Sequence, residues 1–512
     1  MQQGDRKDVS EYGPHHLHER MLDLQTSVGI VHYESYFVAK APLAWVSTEV
    51  LTAGLQSSHV VDDAAPPPSQ NGQADTDRSD SDKFAVGANA TSGGPAETPE
   101  FKEFEFHAQG TWIFQKHPSF GANYSGPNSL RPHPETSFTL SATAYFAAHL
   151  WQGGEFYADA ETLRGKPFSN LTGFGGFPNG ELEKGAGLAP EAYAPRLYYR
   201  QTWGFGGGTD NLESDQHQLA ETVDHNRFVL TVGKLSITDL FDSNLFSHDA
   251  RTQFFNAAIG DYGSFDYAAD GRGYTGGIAG ELDWDDWAIR AGRFMQPRSA
   301  DGTGLDFQIM DYHGDQLEID HSQTLFEQPG KIRFLTFLNR AVMGSFDDAL
   351  VYADRTGTVP SLNRVRKVQD KRGYGVNLEQ NITADVGLFG RLGWNDGQTE
   401  TYAYSEIERT AQVGLSIKGT QWHRSDDTIA VGYVENGLST AHQHYLEAGG
   451  LGVFIGDGAL NYHTEDILEI YYSIALLKSL WLTPDYQHVQ NPAYNSARGP
   501  VSIYGLRLHA EY

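Results

Sequence analysis

The segment SFTLSATAYFAAHL, Ser137–Leu150, alternates without interruption. Phe138, Leu140, Ala142, Ala144, Phe146, Ala148 and Leu150 fall on one face, and Ser137, Thr139, Ser141, Thr143, Tyr145, Ala147 and His149 fall on the other. A period of two is the signature of a strand with one apolar face. The same pattern recurs at Phe104–Phe114, Ala411–Lys418, Asp427–Val434 and Ser502–Tyr512, with turn clusters at Trp394–Gly397 (WNDG) and Gly456–Gly458 (GDG). No helical periodicity of comparable strength competes with it. The last strand is the most telling, because Tyr504, Leu506, Leu508, Ala510 and Tyr512 carry the apolar face to the final residue, with Gly505, Arg507, His509 and Glu511 opposite. An aromatic end on an alternating strand is the ending that the barrel-assembly machinery reads in outer-membrane proteins. The sequence therefore predicts an all-β protein, a transmembrane antiparallel β-barrel.

Strands of about ten residues with their connections take roughly 25 residues each, so the four hundred or so residues after Phe101 accommodate about sixteen. One barrel over residues 101–512 then replaces the three or so domains that 512 residues would otherwise suggest. Residues 1–100 read differently. Asp62–Glu100 is built largely from Pro, Asp, Ser, Gly and Ala, the composition of a disordered linker. The best candidate for an export signal, APLAWVSTEVLTAGL after Lys40, is broken by Glu49, and a misassigned start or a missing leader would account for that.

Composition narrows the function. Lys plus Arg number 37 against 66 Asp plus Glu, a net charge of −29, so the chain lacks the basic face that nucleic-acid binding requires. Cysteine is absent, which removes disulfides, thiol catalysis and thiolate metal sites. The 56 glycines beside 26 tyrosines, 28 phenylalanines and 9 tryptophans suit β structure. A mean hydropathy of −0.46 does not argue against a barrel, whose lumen-facing and lipid-facing residues average out.

Several longer stretches resemble one family. They include FEFHAQGTWIFQKHPSF (Phe104–Phe120), WQGGEFYADAE (Trp151–Glu161), GFGGFPNGE (Gly173–Glu181), PRLYYRQT (Pro195–Thr202) and VLTVGKLSITDLFDSNLFSHDARTQFFN (Val229–Asn256). Others are FDYAADGRGYTGG (Phe265–Gly277), FLNRAVMGSFDDA (Phe337–Ala349), NGLSTAHQHYLEAGGLGVFIGDG (Asn436–Gly458) and NPAYNSARGPVSIYGLRLHAEY (Asn491–Tyr512). Together they resemble the carbohydrate-selective porins (OprB type) of Gram-negative outer membranes, a family that includes a high-affinity manganese branch. The resemblance implies a sixteen-stranded barrel with a water-filled lumen, passing small solutes by passive diffusion with no cofactor. Tyr512 stands where Phe is more usual.

Face alternation also names candidate pore-lining residues. Arg196, Tyr198, Arg200 and Thr202 oppose Leu197, Tyr199, Gln201 and Trp203, so both arginines are expected to face the lumen. The same logic places Asn377, Glu379 and Asn381, then Glu469, then Trp481, Thr483, Asp485 and Gln487, and finally Arg507 and His509. Residues Thr238–Tyr274 are too long and turn-rich for one hairpin, and they gather Asp242, His248 and Arg251 with further Asp residues. A constriction loop folding inward and a plain run of turns both fit that stretch. Guanidinium forks and carboxylates suit vicinal sugar hydroxyls, with Trp481 as a stacking face.

The expected function is an outer-membrane porin for small carbohydrates, monomeric or homotrimeric. The alternative is a porin for Mn²⁺, since the negative field concentrates divalent cations and weak sites suffice for passage. No tight ligand spacing is evident: His15, His16 and His18 fall in the extension, and His442 and His444 are read as pointing the same way on a strand. A glycoside hydrolase on a β scaffold would need a carboxylate pair across a cleft and leaves the final strand unexplained, and an adhesin would need repeated Gly-Asp calcium motifs, whereas ADGRG at Ala269 and GDG at Gly456 are isolated.

Overall fold

The computed structural model describes residues 103–182, 187–325 and 327–512. The extension expected over residues 1–100, with its linker, its candidate export run and His15, His16 and His18, lies outside the described residues. Among the described residues there are nineteen strands: β1 (Phe104–His117), β2 (Glu135–Trp151), β3 (Gly154–Lys166), β4 (Glu191–Tyr193), β5 (Leu197–Gly204), β6 (Thr209–Leu212), β7 (Glu221–Asp224), β8 (Arg227–Leu235), β9 (Thr275–Trp284) and β10 (Trp287–Met295). They continue as β11 (His313–Leu325), β12 (Gln328–Met343), β13 (Lys367–Asn381), β14 (Val386–Asn395), β15 (Arg409–Gly419), β16 (Arg424–Gly437), β17 (Glu465–Leu477), β18 (Leu480–Gln490) and β19 (Val501–Glu511).

Every stave of the barrel is antiparallel to its neighbours, and the sheet closes because β1 pairs with both β2 and β19. Trp112 lies opposite Leu140 on one side and Leu508 on the other. The short β4 and the longer β5 both pair with β3, one with Glu161–Leu163 and the other with Gly154–Ala158, so they form a single stave interrupted at residues 194–196. With β6 and β7 paired only to each other, the closed barrel has sixteen staves. Closure leaves no unpaired edge, which is what allows strands to cross a bilayer.

Side-chain burial along β2 has the period read from the sequence. Ser137, Thr139, Ser141, Thr143 and Tyr145 are buried inside, whereas Leu140, Phe146 and Leu150 stand exposed on the outside. Exposed aliphatic and aromatic residues recur around the wall, among them Val232, Ile278, Ile332, Val413 and Leu508, forming the apolar band that lipid covers. Trp151, Trp203, Trp284 and Trp287 sit on the outer surface at one end, where amphipathic rings meet headgroups. That end also carries the two-residue turns 152–153, 285–286 and 478–479, and Gly153 and Asp285 adopt the left-handed backbone such reversals require. Val413 lies near the middle of β15. Replacing it by arginine is expected to cost about 2–4 kcal/mol of barrel stability, read as a lower urea midpoint in lipid vesicles, while leucine there should be neutral.

The two ends differ. Connections at the end opposite the tryptophans are long, and among the described residues two contain α-helices of at least eight residues, Phe346–Thr356 and Thr440–Glu447. Neither was expected from periodicity. The first is specified by its termini instead: the Ser345 hydroxyl accepts from the Asp348 N–H, Asp347 and Asp348 occupy the first turn, and Gly357 closes it at φ 66°. The second corrects the reading of His442 and His444 as strand neighbours. At about 100° per residue they diverge; His442 is buried, 2.9 Å from Glu408 and stacked on Phe346, while His444 is exposed. At the short-turn end a single long connection, residues 205–226, folds into the β6–β7 hairpin.

Candidate functional site

Residues 236–274, between β8 and β9, run through the barrel interior. A loop inside a barrel carries backbone donors and acceptors that water does not reach freely, and each needs a partner. Strand side chains supply them. Glu469 accepts from the N–H groups of Phe255 and Asn256 (2.5 and 3.0 Å), Glu318 from Asp242 (2.8 Å) and Glu379 from Leu245 (2.7 Å). Arg507 donates to the carbonyls of Ala250, Thr252 and Gln253 at 2.7–2.9 Å. Arg391 binds Asp242 through Nε at 2.8 Å and the Ser247 carbonyl at 2.7 Å.

Apolar packing seats the same segment against one side of the wall. Phe254 meets Phe389 and Tyr471, and Phe265 meets Phe337, at centroid distances of 5.0–5.3 Å. Inward-facing glycines make room. A Cβ at Gly375 would lie 2.6 Å from the Tyr262 ring, and one at Gly432 would lie 2.9 Å from Phe254, so side chains there would push the loop off.

Because the segment fills that side, the open space is eccentric. A cavity of about 950 Å³ follows the wall from β3 to β13. Behind its lining on β3, Asp159 and Glu161 are buried successive inward positions about 7 Å apart. Each holds an arginine. Arg196 reaches Asp159 at 3.2 Å and grips Asp239 with two donors at 2.6 and 2.7 Å, its guanidinium 5.3 Å from the Tyr274 ring. Arg251 binds Glu161 at 2.6 Å and Glu181 at 2.9 Å, with the Tyr145 hydroxyl 3.3 Å away. Arg200 stacks on Tyr157 at 4.9 Å.

Charge states on the loop differ. Burial favours a neutral Asp239, but the two-pronged Arg196 contact outweighs it and holds the carboxyl down at about 2. Burial pushes the Asp261 carboxyl up to about 6, with His248 at 3.7 Å offsetting only part of the shift. Acidifying from about pH 7 to about pH 5 should therefore neutralise Asp261 and lower the channel's preference for cations over anions. Reversal potentials in a KCl gradient measure this, and Asp261→Asn should flatten the response; an unchanged pH slope in that variant would assign it elsewhere.

Of the residues singled out from sequence, Arg196, Arg200, His248, Arg251 and Glu379 line the cavity. Asp242, Glu469, Asp485 and Arg507 are buried away from it; Asp242, Glu469 and Arg507 hold the loop, and Asp485 accepts from Gln487. Trp481 sits near His509 at a centroid distance of 6.0 Å, outside the cavity lining. Sequence reading did not single out Asp159, Glu161 or Glu181, although the first two obey the same two-residue alternation as Arg196 and Arg200. It also passed over the β6–β7 hairpin, which is marked only by the glycine run Gly206–Gly208 and the short alternation before Arg227.

A sixteen-stave barrel with a lipid-facing apolar band, a loop folded inside and a charged cavity beside that loop defines a porin. The chain belongs to the carbohydrate-selective porin, OprB family, whose model matches residues 127–512. Among curated proteins no sequence matches. The high-pH structure of Pseudomonas putida OprB superposes with a TM-score of 0.61 at 16% identity, covering 80% of this chain and 94% of that one. The outer membrane channel DcaP of Acinetobacter baumannii aligns at a TM-score of 0.41 and 10% identity, over 80% of this chain and 97% of that one.

Proposed function

We propose that this protein is a channel of a Gram-negative outer membrane through which small carbohydrates diffuse passively, selected at the charged constriction between β3 and the inward segment. The observation that carries this reading is the pair of arginine–carboxylate contacts on Asp159 and Glu161, with tyrosine rings beside them. Planar guanidinium forks and carboxylates hydrogen-bond vicinal hydroxyls, and an aromatic face packs on the apolar side of a sugar ring. The spacing of the two arginine contacts along β3 is comparable to the width of such a ring. Short turns at the end bearing both barrel termini make that end periplasmic and the long-loop end extracellular. The barrel conducts as a monomer or within a homotrimer and runs no reaction; β19 is the segment offered to the barrel-assembly machinery.

One observation favours a second reading. Asp and Glu outnumber Lys and Arg around the cavity by more than two to one, and such a field concentrates cations, including Mn²⁺. Single-channel recording in a planar bilayer separates the two. Current steps that a disaccharide blocks reversibly support the sugar channel. Steps indifferent to sugar but altered by MnCl₂ support the cation channel, and folded, inserted protein that gives no steps would sink both.

A further inference from the structure

At the short-turn end, the β6–β7 hairpin lies within the barrel mouth. It is fastened by His217 to Asp159 at 2.9 Å, by Asp210 to Arg227 at 3.0 Å, and by a Ser214 hydroxyl bond to Glu105. A fourth group of contacts between hairpin and wall is of another kind. His149 and Glu155 are directly opposite on β2 and β3, and both face inward. Glu221 opens β7. One ligand atom from each of the three lies within 4.8 Å of the others. Directly opposed strand positions bring two side chains to one point on the same face, and the hairpin adds the third ligand from above.

Two carboxylates meet here with little to balance them. Glu155 is buried, and its nearest guanidinium, Arg200, stops at 3.9 Å and directs donors to the Tyr157 hydroxyl and the His217 carbonyl. Arg227 is committed to Asp210 and Asp283 at 3.0 and 2.9 Å. The Glu221 carboxylate makes no hydrogen bond or ion pair among the described residues.

We propose that His149, Glu155 and Glu221 bind a first-row divalent transition-metal ion that clamps the β6–β7 hairpin to the barrel wall. An imidazole with two carboxylates is a borderline donor set that suits Zn²⁺ or Mn²⁺ better than the all-oxygen cages of Ca²⁺. Bonds of about 2.1 Å put ligand atoms of a tetrahedral site about 3.4 Å apart, so closing the present spread takes side-chain rotations of an ångström or so. This site was not expected from sequence, since its ligands are 6 and 66 positions apart and only the hairpin unites them.

Calorimetric titration of the refolded full-length protein with ZnCl₂ tests the site, in a background carrying His15→Ala, His16→Ala and His18→Ala so that the N-terminal histidines do not contribute. One Zn²⁺ is expected per barrel, with affinity falling at least ~10-fold in His149→Ala and in Glu221→Gln, as removal of a direct ligand should cost no less than loss of its supporting bonds. Heat-modifiable migration on gels confirms that each variant is folded. Zn²⁺ should also slow proteolysis within residues 205–226 in the parent and not in Glu221→Gln. Absence of Zn²⁺ binding, equal affinity in parent and variants, or equal binding of CaCl₂ would each overturn the proposal.

Discussion

Arg391→Ala should detach the inward segment from the barrel wall and raise the single-channel conductance. Arg391 is 1% exposed and directs its donors to Asp242 and to the carbonyls of Ser247 and Ile259, so it ties together both ends of the first half of the loop. Its removal leaves the Asp242 carboxylate buried without its cation, a change that costs about 3–5 kcal/mol in comparable pairs. Asp242 has a left-handed backbone at φ 57°, a conformation that a non-glycine residue keeps only where the surroundings hold it. The same carboxylate accepts from Asn377 at 2.6 Å and from the Tyr262 N–H at 3.0 Å, so the disturbance reaches the ring that sits against Gly375. The sixteen staves do not depend on this contact, so the variant should still fold as a barrel. Limited proteolysis should show new cleavage within residues 236–274, together with larger and noisier current steps. Adding Asp242→Ala should recover part of the lost stability, because the two effects share one interaction. Parent-like conductance and an uncleaved loop in Arg391→Ala would mean that the apolar seat alone holds the segment.

The contrast between legible and illegible parts of this chain has a physical basis. Membrane strands must show one face to lipid and one to the interior, so Ser137–Leu150 and Ser502–Tyr512 carry their fold as a strictly local pattern. Observed β2 and β19 differ from those runs by only a residue or two at either end. The helix Phe346–Thr356 escaped because its evidence lies in its capping residues, Ser345, Asp348 and Gly357, rather than in a period. Glu469 and Arg507 hold the loop instead of meeting the cavity. Alternation specifies which way a side chain points; what it meets depends on how residues 236–274 cross the lumen. The hairpin at residues 205–226 was invisible for the same reason, since its wall partners Glu105, Asp159 and Arg227 come from β1, β3 and β8.

Arg251→Ala should weaken sugar block at least about 10-fold, equivalent to about 1.4 kcal/mol or more, while altering conductance far less than Arg391→Ala. Arg251 stands on the inward segment and binds β3 through Glu161 and the connection after β3 through Glu181, so its guanidinium bridges three parts of the chain beside the cavity. A sugar passing there exchanges water for hydroxyl contacts with a fork already held in place, and rigid donors lose little freedom on binding. Arg251→Lys tests that argument, because it keeps the charge and removes the planar fork. If preorganised geometry matters, the lysine variant should behave nearly like alanine in sugar block while keeping parent-like ion selectivity. If charge alone matters, lysine should restore block. Arg196→Lys provides the comparison on the neighbouring position, where the arginine stands on the wall side and grips Asp239 of the inward segment with two donors. Loss of block in both lysine variants would place the sugar across the two contacts on Asp159 and Glu161. Loss in neither, with block intact in Arg251→Ala as well, would remove these arginines from solute recognition and leave the acidic field of the cavity, and with it the cation channel, as the surviving account.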